Sequence, residues 1–141
     1  MDCVNLTESG MRDFWQDAID KAEKYSVFRN QMVHGDVLFV DFAKSKYFGQ
    51  HIILQGREFW KADPDPKDVI TYEQLVTSDR NFRLLASCMM SVLGQGSQPD
   101  VPGPTQCREL IALLPSQPQS DTISPSDLTR FSQLRSVPFE R

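Results

Sequence analysis

His34-Gly35-Asp36-Val37-Leu38-Phe39-Val40-Asp41-Phe42 interrupts an otherwise helical pattern. His34-Gly35-Asp36 punctuates, and residues 37–42 are β-rich and mostly apolar, so a strand is expected there. Lys44-Ser45-Lys46 is a polar break before a second run, Tyr47-Phe48-Gly49-Gln50-His51-Ile52-Ile53-Leu54. Gln55-Gly56 turns the chain into a third, Arg57-Glu58-Phe59-Trp60-Lys61. Three short strands joined by short turns predict an antiparallel meander. Asp63-Pro64-Asp65-Pro66 ends it, because proline has no N–H to give to a ladder.

Upstream of this region the period changes from 2 to 3.6. Met11, Phe14, Trp15, Ala18, Ile19, Ala22 and Tyr25 share one helical face. Arg12, Asp13, Gln16, Asp17, Asp20, Lys21, Glu23 and Lys24 occupy the other, with Asp17–Lys21 and Asp20–Lys24 at i, i+4. Downstream, Thr71-Tyr72-Glu73-Gln74 has capping-box spacing and opens a short helix to about Val76. Ser78 or Asp79 then caps a longer helix carrying Phe82, Leu85, Ala86, Met89 and Leu93, with Gly94 at its end.

Composition shifts after Leu93. Residues 95–141 hold seven of the nine prolines and no lysine, and the run 94–104 sustains neither a helix nor a central strand. This divides the chain into a compact domain, 1–94, and a Pro/Gly/Ser-rich extension, 95–141. Two helical islands are expected in the extension, near 105–114 and 125–135. Ser124-Pro125-Ser126-Asp127 is a helix start, with a serine cap and proline at the first helical position. The fold class is therefore α+β. An N-terminal amphipathic helix precedes a small three-stranded antiparallel meander. C-terminal helices pack on the sheet, and a proline-rich extension with short helices follows.

The chain is 40% hydrophobic and 24% charged with a net charge of −4, which excludes wholesale disorder. No apolar run reaches the roughly 18 residues of a spanning helix, and the N-terminus lacks the signature of a secretory signal. Three cysteines at 3, 88 and 107, without a CxxC, fit a reducing compartment. The expected location is intracellular, cytoplasmic or nuclear.

Catalytic groups are sparse. His34 and His51 have no metal-ligand spacing, and no GxSxG, P-loop or strand-borne GxGxxG occurs. Asp63, Asp65 and Asp68 resemble a cation loop, but Pro64 and Pro66 and the lack of a bidentate glutamate spoil it. Cys88, on the 82–93 helix, reads as a small buried hydrophobe. The expectation is a protein that is not an enzyme, with no cofactor and no metal.

Two binding readings remain. In the first, the chain is a non-enzymatic interaction or regulatory module that binds another protein chain or self-associates. Its docking segments are the tail islands Leu110, Leu113, Leu114, Leu128, Phe131 and Leu134, each in a helix too short to persist alone. In the second, a single-stranded nucleic acid lies on the 44–61 sheet. Lys44, Lys46, Arg57 and Lys61 would meet phosphates, and Tyr47 and Trp60 would stack with bases. Strand alternation forces half the aromatics of that sheet inward, which favours the first reading. No membrane partner is expected.

Overall fold

The apolar spacing read over residues 11–25 continues for two further turns. In the computed structural model, which describes residues 8–54, 65–94 and 102–134, helix α1 spans Glu8–His34. Its inward stripe is Phe14, Ala18 and Tyr25, all at 0% exposure, and Phe28 extends it. Ile19 falls beside the stripe and is exposed. The helix serves two cores: Phe14 to Tyr25 pack on other helices, whereas Phe28 and Met32 pack on the sheet.

The sheet is β1 (Asp36–Phe39), β2 (His51–Leu54) and β3 (Val69–Thr71), antiparallel in the order β1-β2-β3. Among the described residues the meander is present, with strands shorter than expected. The strand expected at Arg57–Lys61 lies outside the described residues. The third described strand follows a single 3-10 turn at Pro66–Asp68 and is built from three β-branched residues, with Ile70 opposite Ile53. Residues 40–50 form a loop rather than prolonging β1 and β2. The Val40 N–H donates to the Gln50 carbonyl, and the Gly49 N–H donates to the Val40 carbonyl. Gly49 closes the 47–50 turn at φ 80°, a left-handed value that side chains resist.

Helix α2, Tyr72–Gly94, starts on the predicted capping box. Thr71 Oγ1 accepts from the Gln74 N–H at 3.2 Å, and Gln74 Oε1 accepts from the Thr71 N–H at 2.9 Å. The second start expected at Ser78 or Asp79 does not occur. The Ser78 hydroxyl donates back to the Leu75 carbonyl, and Asp79 holds Arg83 one turn ahead, so both side chains are compatible with an unbroken helix.

The extension carries α3 (Pro104–Leu113) and α4 (Pro125–Phe131). Ser124 Oγ accepts from the Asp127 N–H at 3.2 Å, the cap its sequence predicts. Both helices dock in cis. One cluster of buried residues joins Phe14, Ala18 and Tyr25 with Leu85, Cys88 and Val92. The same cluster continues through Cys107, Leu110, Ile111, Leu114, Ile123, Phe131 and Leu134. The core thus runs across the compositional break at residue 94.

Polar side chains lock this arrangement. The Tyr25 hydroxyl donates to the Pro115 carbonyl at 2.9 Å, and Lys21 Nζ donates to the Leu114 carbonyl at 2.8 Å. Burial pushes the Tyr25 phenol up and the Lys21 ammonium down, as expected for groups drawn into a helix seam. Asn81, at 0% exposure, donates from Nδ2 to the carbonyls of Pro118 (2.8 Å) and Ser120 (3.1 Å). Asp17, expected to pair with Lys21, instead accepts from Arg108 of α3 at 2.6 Å. That exposed pair adds little stability.

Deleting residues 95–141 uncovers Phe14, Tyr25, Leu85 and Val92 together, so the truncated chain is expected to lose its sharp thermal transition. A retained cooperative transition by calorimetry would show that residues 1–94 fold alone. Asn81→Ala leaves two carbonyls of the 118–120 turn without their donor. Chemical denaturation of that variant should show a loss of about 1–3 kcal/mol.

Candidate interaction surface

A sheet face is covered only as far as its helices reach. Val37, Ile53 and Ile70 are register partners across the three strands, so all three point to one face. Ile53 and Ile70 are buried beneath Phe28 and Met32 of α1 and Leu75 and Phe82 of α2. Val37 lies beyond that cover and is 70% exposed. Phe39, two residues on along the same face, is 53% exposed, and its ring lies 4.8 Å from that of His51 on β2. The opposite face is closed: Ile52, Leu54 and Val69 are buried under Leu38, Val40 and Tyr47.

Beside this uncovered strip, the start of α2 stands away from the sheet. A small apolar cavity of about 100 Å³ is lined by Val37, His51, Ile52, Ile53, Tyr72 and Leu75. A larger groove of about 590 Å³ over Gln50, His51, Thr71, Tyr72 and Glu73 shares His51 and Tyr72 with it. Tyr72 is 69% exposed, and Val76 and Phe48 are exposed as well. The backbone adds a second feature. Val40 directs both its N–H and its carbonyl toward the β2 side, so by alternation Leu38 does the same. Val37 and Phe39 therefore aim theirs at the outer edge of β1, which pairs with no other strand among the described residues.

The residues singled out from sequence fall elsewhere. Leu110, Leu114, Phe131 and Leu134 are buried in the main core, and Leu113 and Leu128 pack half-buried against it. The structure brings all six together, against α1 and α2 rather than on a surface. Lys44 and Lys46 are exposed in the 40–50 loop. The Lys46 ammonium lies 5.4 Å over the ring of its neighbour Tyr47. Tyr47 is half-buried over Ile52, Leu54 and Val69, so one of its faces is occupied by the sheet. Arg57, Trp60 and Lys61 lie outside the described residues. Cys88 is fully buried.

Val37, Phe39 and Tyr72 were missed as surface residues. Every position from Val37 to Val40 is apolar, so alternation in the sequence does not distinguish the covered face from the open one. Tyr72 occupies a position inside the capping box that the motif leaves free.

Among the described residues, no group of three or more His, Cys, Asp or Glu side chains is placed to hold a metal ion. No described helix is long and apolar enough to cross a membrane. No family model, curated protein or solved structure matches the chain.

Exposure and burial on the two sides of the strip give opposite mutational responses. Val37→Lys and Phe39→Lys are expected to change stability by less than about 0.5 kcal/mol. Ile53→Ala, one strand away on the same face, should cost about 2–5 kcal/mol. Equal losses at Val37 and Ile53 in chemical denaturation would show that the strip is covered.

Proposed function

We propose that the chain is a non-enzymatic interaction module that receives an extended apolar segment of a partner protein along β1. The observation that carries this reading is the uncovered strip: Val37 and Phe39 are exposed on the same face that buries Ile53 and Ile70. Strand addition supplies what the strip lacks. The partner's backbone pairs with the outward N–H and carbonyl groups of Val37 and Phe39. Its alternate side chains enter the apolar space between β1 and the start of α2. Large apolar side chains kept in water beside unpaired backbone groups mark an interaction site more often than scattered exposed residues do.

This reading moves the docking function from the tail to the sheet. Leu110, Leu114, Phe131 and Leu134 hold the tail in cis, where they build the scaffold that carries β1. Nucleic acid is the second reading, and Lys44 and Lys46 in the exposed loop are its described support.

The test is selection from a displayed peptide library against the full chain, run in parallel against Phe39→Lys. Enrichment of peptides with alternating apolar residues, lost in the variant at unchanged Tm, is the expected result. Enrichment equal in both proteins would place binding elsewhere. Sedimentation of the unliganded chain separates self-association: a dimer dissolved by Phe39→Lys would identify a second copy as the partner. Single-stranded RNA bound at micromolar or better affinity in ~150 mM salt, weakened by Lys44→Gln and Lys46→Gln, would replace the protein reading.

A further inference from the structure

The open face of the sheet carries two rows of side chains. Register pairs Val37 with Ile53 and Ile53 with Ile70 in the first row, and Phe39 with His51 in the second. One step beyond the Ile52–Thr71 pair, the same register sets His51 opposite Tyr72, the first residue of α2. Helices α1 and α2 roof the first row, where Ile53 and Ile70 are buried, and stop short of the second. Phe39, His51 and Tyr72 form that second row, and all three rings are exposed. His51 and Tyr72 line a groove of about 590 Å³ with Gln50, Thr71 and Glu73. We propose that this groove is a receptor for one arginine side chain. The proposal rests on the strand-addition reading for its source, the partner segment that pairs with β1.

Charge selects a cation. Among the described residues, the groove lining holds one carboxylate, Glu73, and no lysine or arginine. No described residue forms an ion pair or hydrogen bond with that carboxylate. Lys46 of the neighbouring loop is turned away, since its ammonium lies over Tyr47, which packs on the opposite face of the sheet. A nucleobase would stack on the same rings, but nothing in the lining answers its phosphate.

Shape then selects guanidinium over ammonium. A guanidinium is planar, stacks on aromatic faces and offers paired N–H donors to a carboxylate, whereas an ammonium is a compact, strongly hydrated point charge. Tyr72 and His51 supply the faces and Glu73 the acceptor. Phe39, with its ring 4.8 Å from that of His51, braces the imidazole from the β1 side. The methylenes of the arginine meet the adjoining apolar cavity, which shares His51 and Tyr72 with the groove.

The experiment titrates capped amino acids into the full chain and follows its backbone amides by NMR. The probes are N-acetyl-arginine amide, its lysine and citrulline counterparts, and adenosine monophosphate. Saturable shifts at residues 50–51 and 71–73 are expected with the arginine probe, in the millimolar range of so small a ligand. Citrulline keeps the shape and loses the charge, so it should bind about tenfold more weakly. Lysine should bind several-fold more weakly. Glu73→Gln should cost the arginine probe about tenfold, Tyr72→Ala should abolish its binding, and Tyr72→Phe should preserve it. Both side chains are exposed, so Tm should stay unchanged in all three variants. Equal affinity for arginine and citrulline in the unaltered chain would overturn the proposal, as would shifts outside the groove. Tighter binding of adenosine monophosphate at the same amides would replace it with base stacking. A capped amino acid has no strand to add, so these titrations test the groove alone. Apolar peptides enriched from a displayed library while the arginine probe fails would leave strand addition standing and remove the arginine site. Arginine binding beside an unenriched library would keep the site and remove strand addition.

Discussion

Helix α3 has ten residues, and the chain just beyond its end is held by side chains of a helix about ninety residues earlier. Lys21 reaches the carbonyl of Leu114, the C-cap residue, and the Tyr25 hydroxyl reaches the Pro115 carbonyl one residue on. A helix of this length is marginal by itself in water. Here α1 supplies the surface on which it docks. The donors come from the same stripe and flank that bury Phe14, Ala18 and the Tyr25 ring, so packing and hydrogen bonding reinforce each other. The ammonium of Lys21 also lies at the negative end of the α3 dipole, which explains why a partly buried lysine is tolerated there.

That seam organises the rest of the molecule. Once α3 is fixed on α1, the 114–123 segment is held within reach of α2, where Asn81 pins its turn through two carbonyls. Ile123 and Phe131 then enter the same core. The exposed ion pairs of Arg108 with Asp13 and Asp17, and of Arg130 with Glu109, follow this geometry and contribute little to it. With its helical layer built from N- and C-terminal parts together, the chain covers the β2–β3 side of its sheet and leaves β1 at the margin. The open strip is a consequence of where the helices had to go.

Local signals were legible, and the partners of each element were not. Thr71 with Gln74 and Ser124 with Pro125 and Asp127 announce two helix starts because a cap is a contact between residues three apart. The α1 stripe is legible for the same reason. Ser78 and Asp79 have the composition of a cap but lie mid-helix, since Ser78 has a backbone carbonyl to donate to and Asp79 an arginine one turn on. Val69-Ile70-Thr71 is three residues long, too short for alternation to show, and its pairing with β2 is decided by register with Ile52, Ile53 and Leu54. The prolines and glycines of 94–104 mark a break in local structure. They carry no information on whether the chain returns to the same core, which it does through Cys107, Leu110 and Ile111.

An apolar open edge is a hazard unless something limits what pairs with it. β1 is four residues long, so it offers few outward backbone groups, and an added strand gains little from hydrogen bonds alone. Side chains must then supply the selectivity. In the proposed strand addition, Val37 and Phe39 would meet apolar residues at alternate positions, and the cavity beside Tyr72 and Leu75 would take a small one. Asp36 opens the strand and Asp41 follows it, both exposed, so each end of the edge carries negative charge. Two copies of β1 laid antiparallel bring these acidic ends near one another's strand termini without an added cation, whereas a foreign segment with basic residues outside its apolar core meets them favourably. In the proposed strand addition, this charge pattern would disfavour self-pairing and favour a partner with an apolar centre and basic flanks.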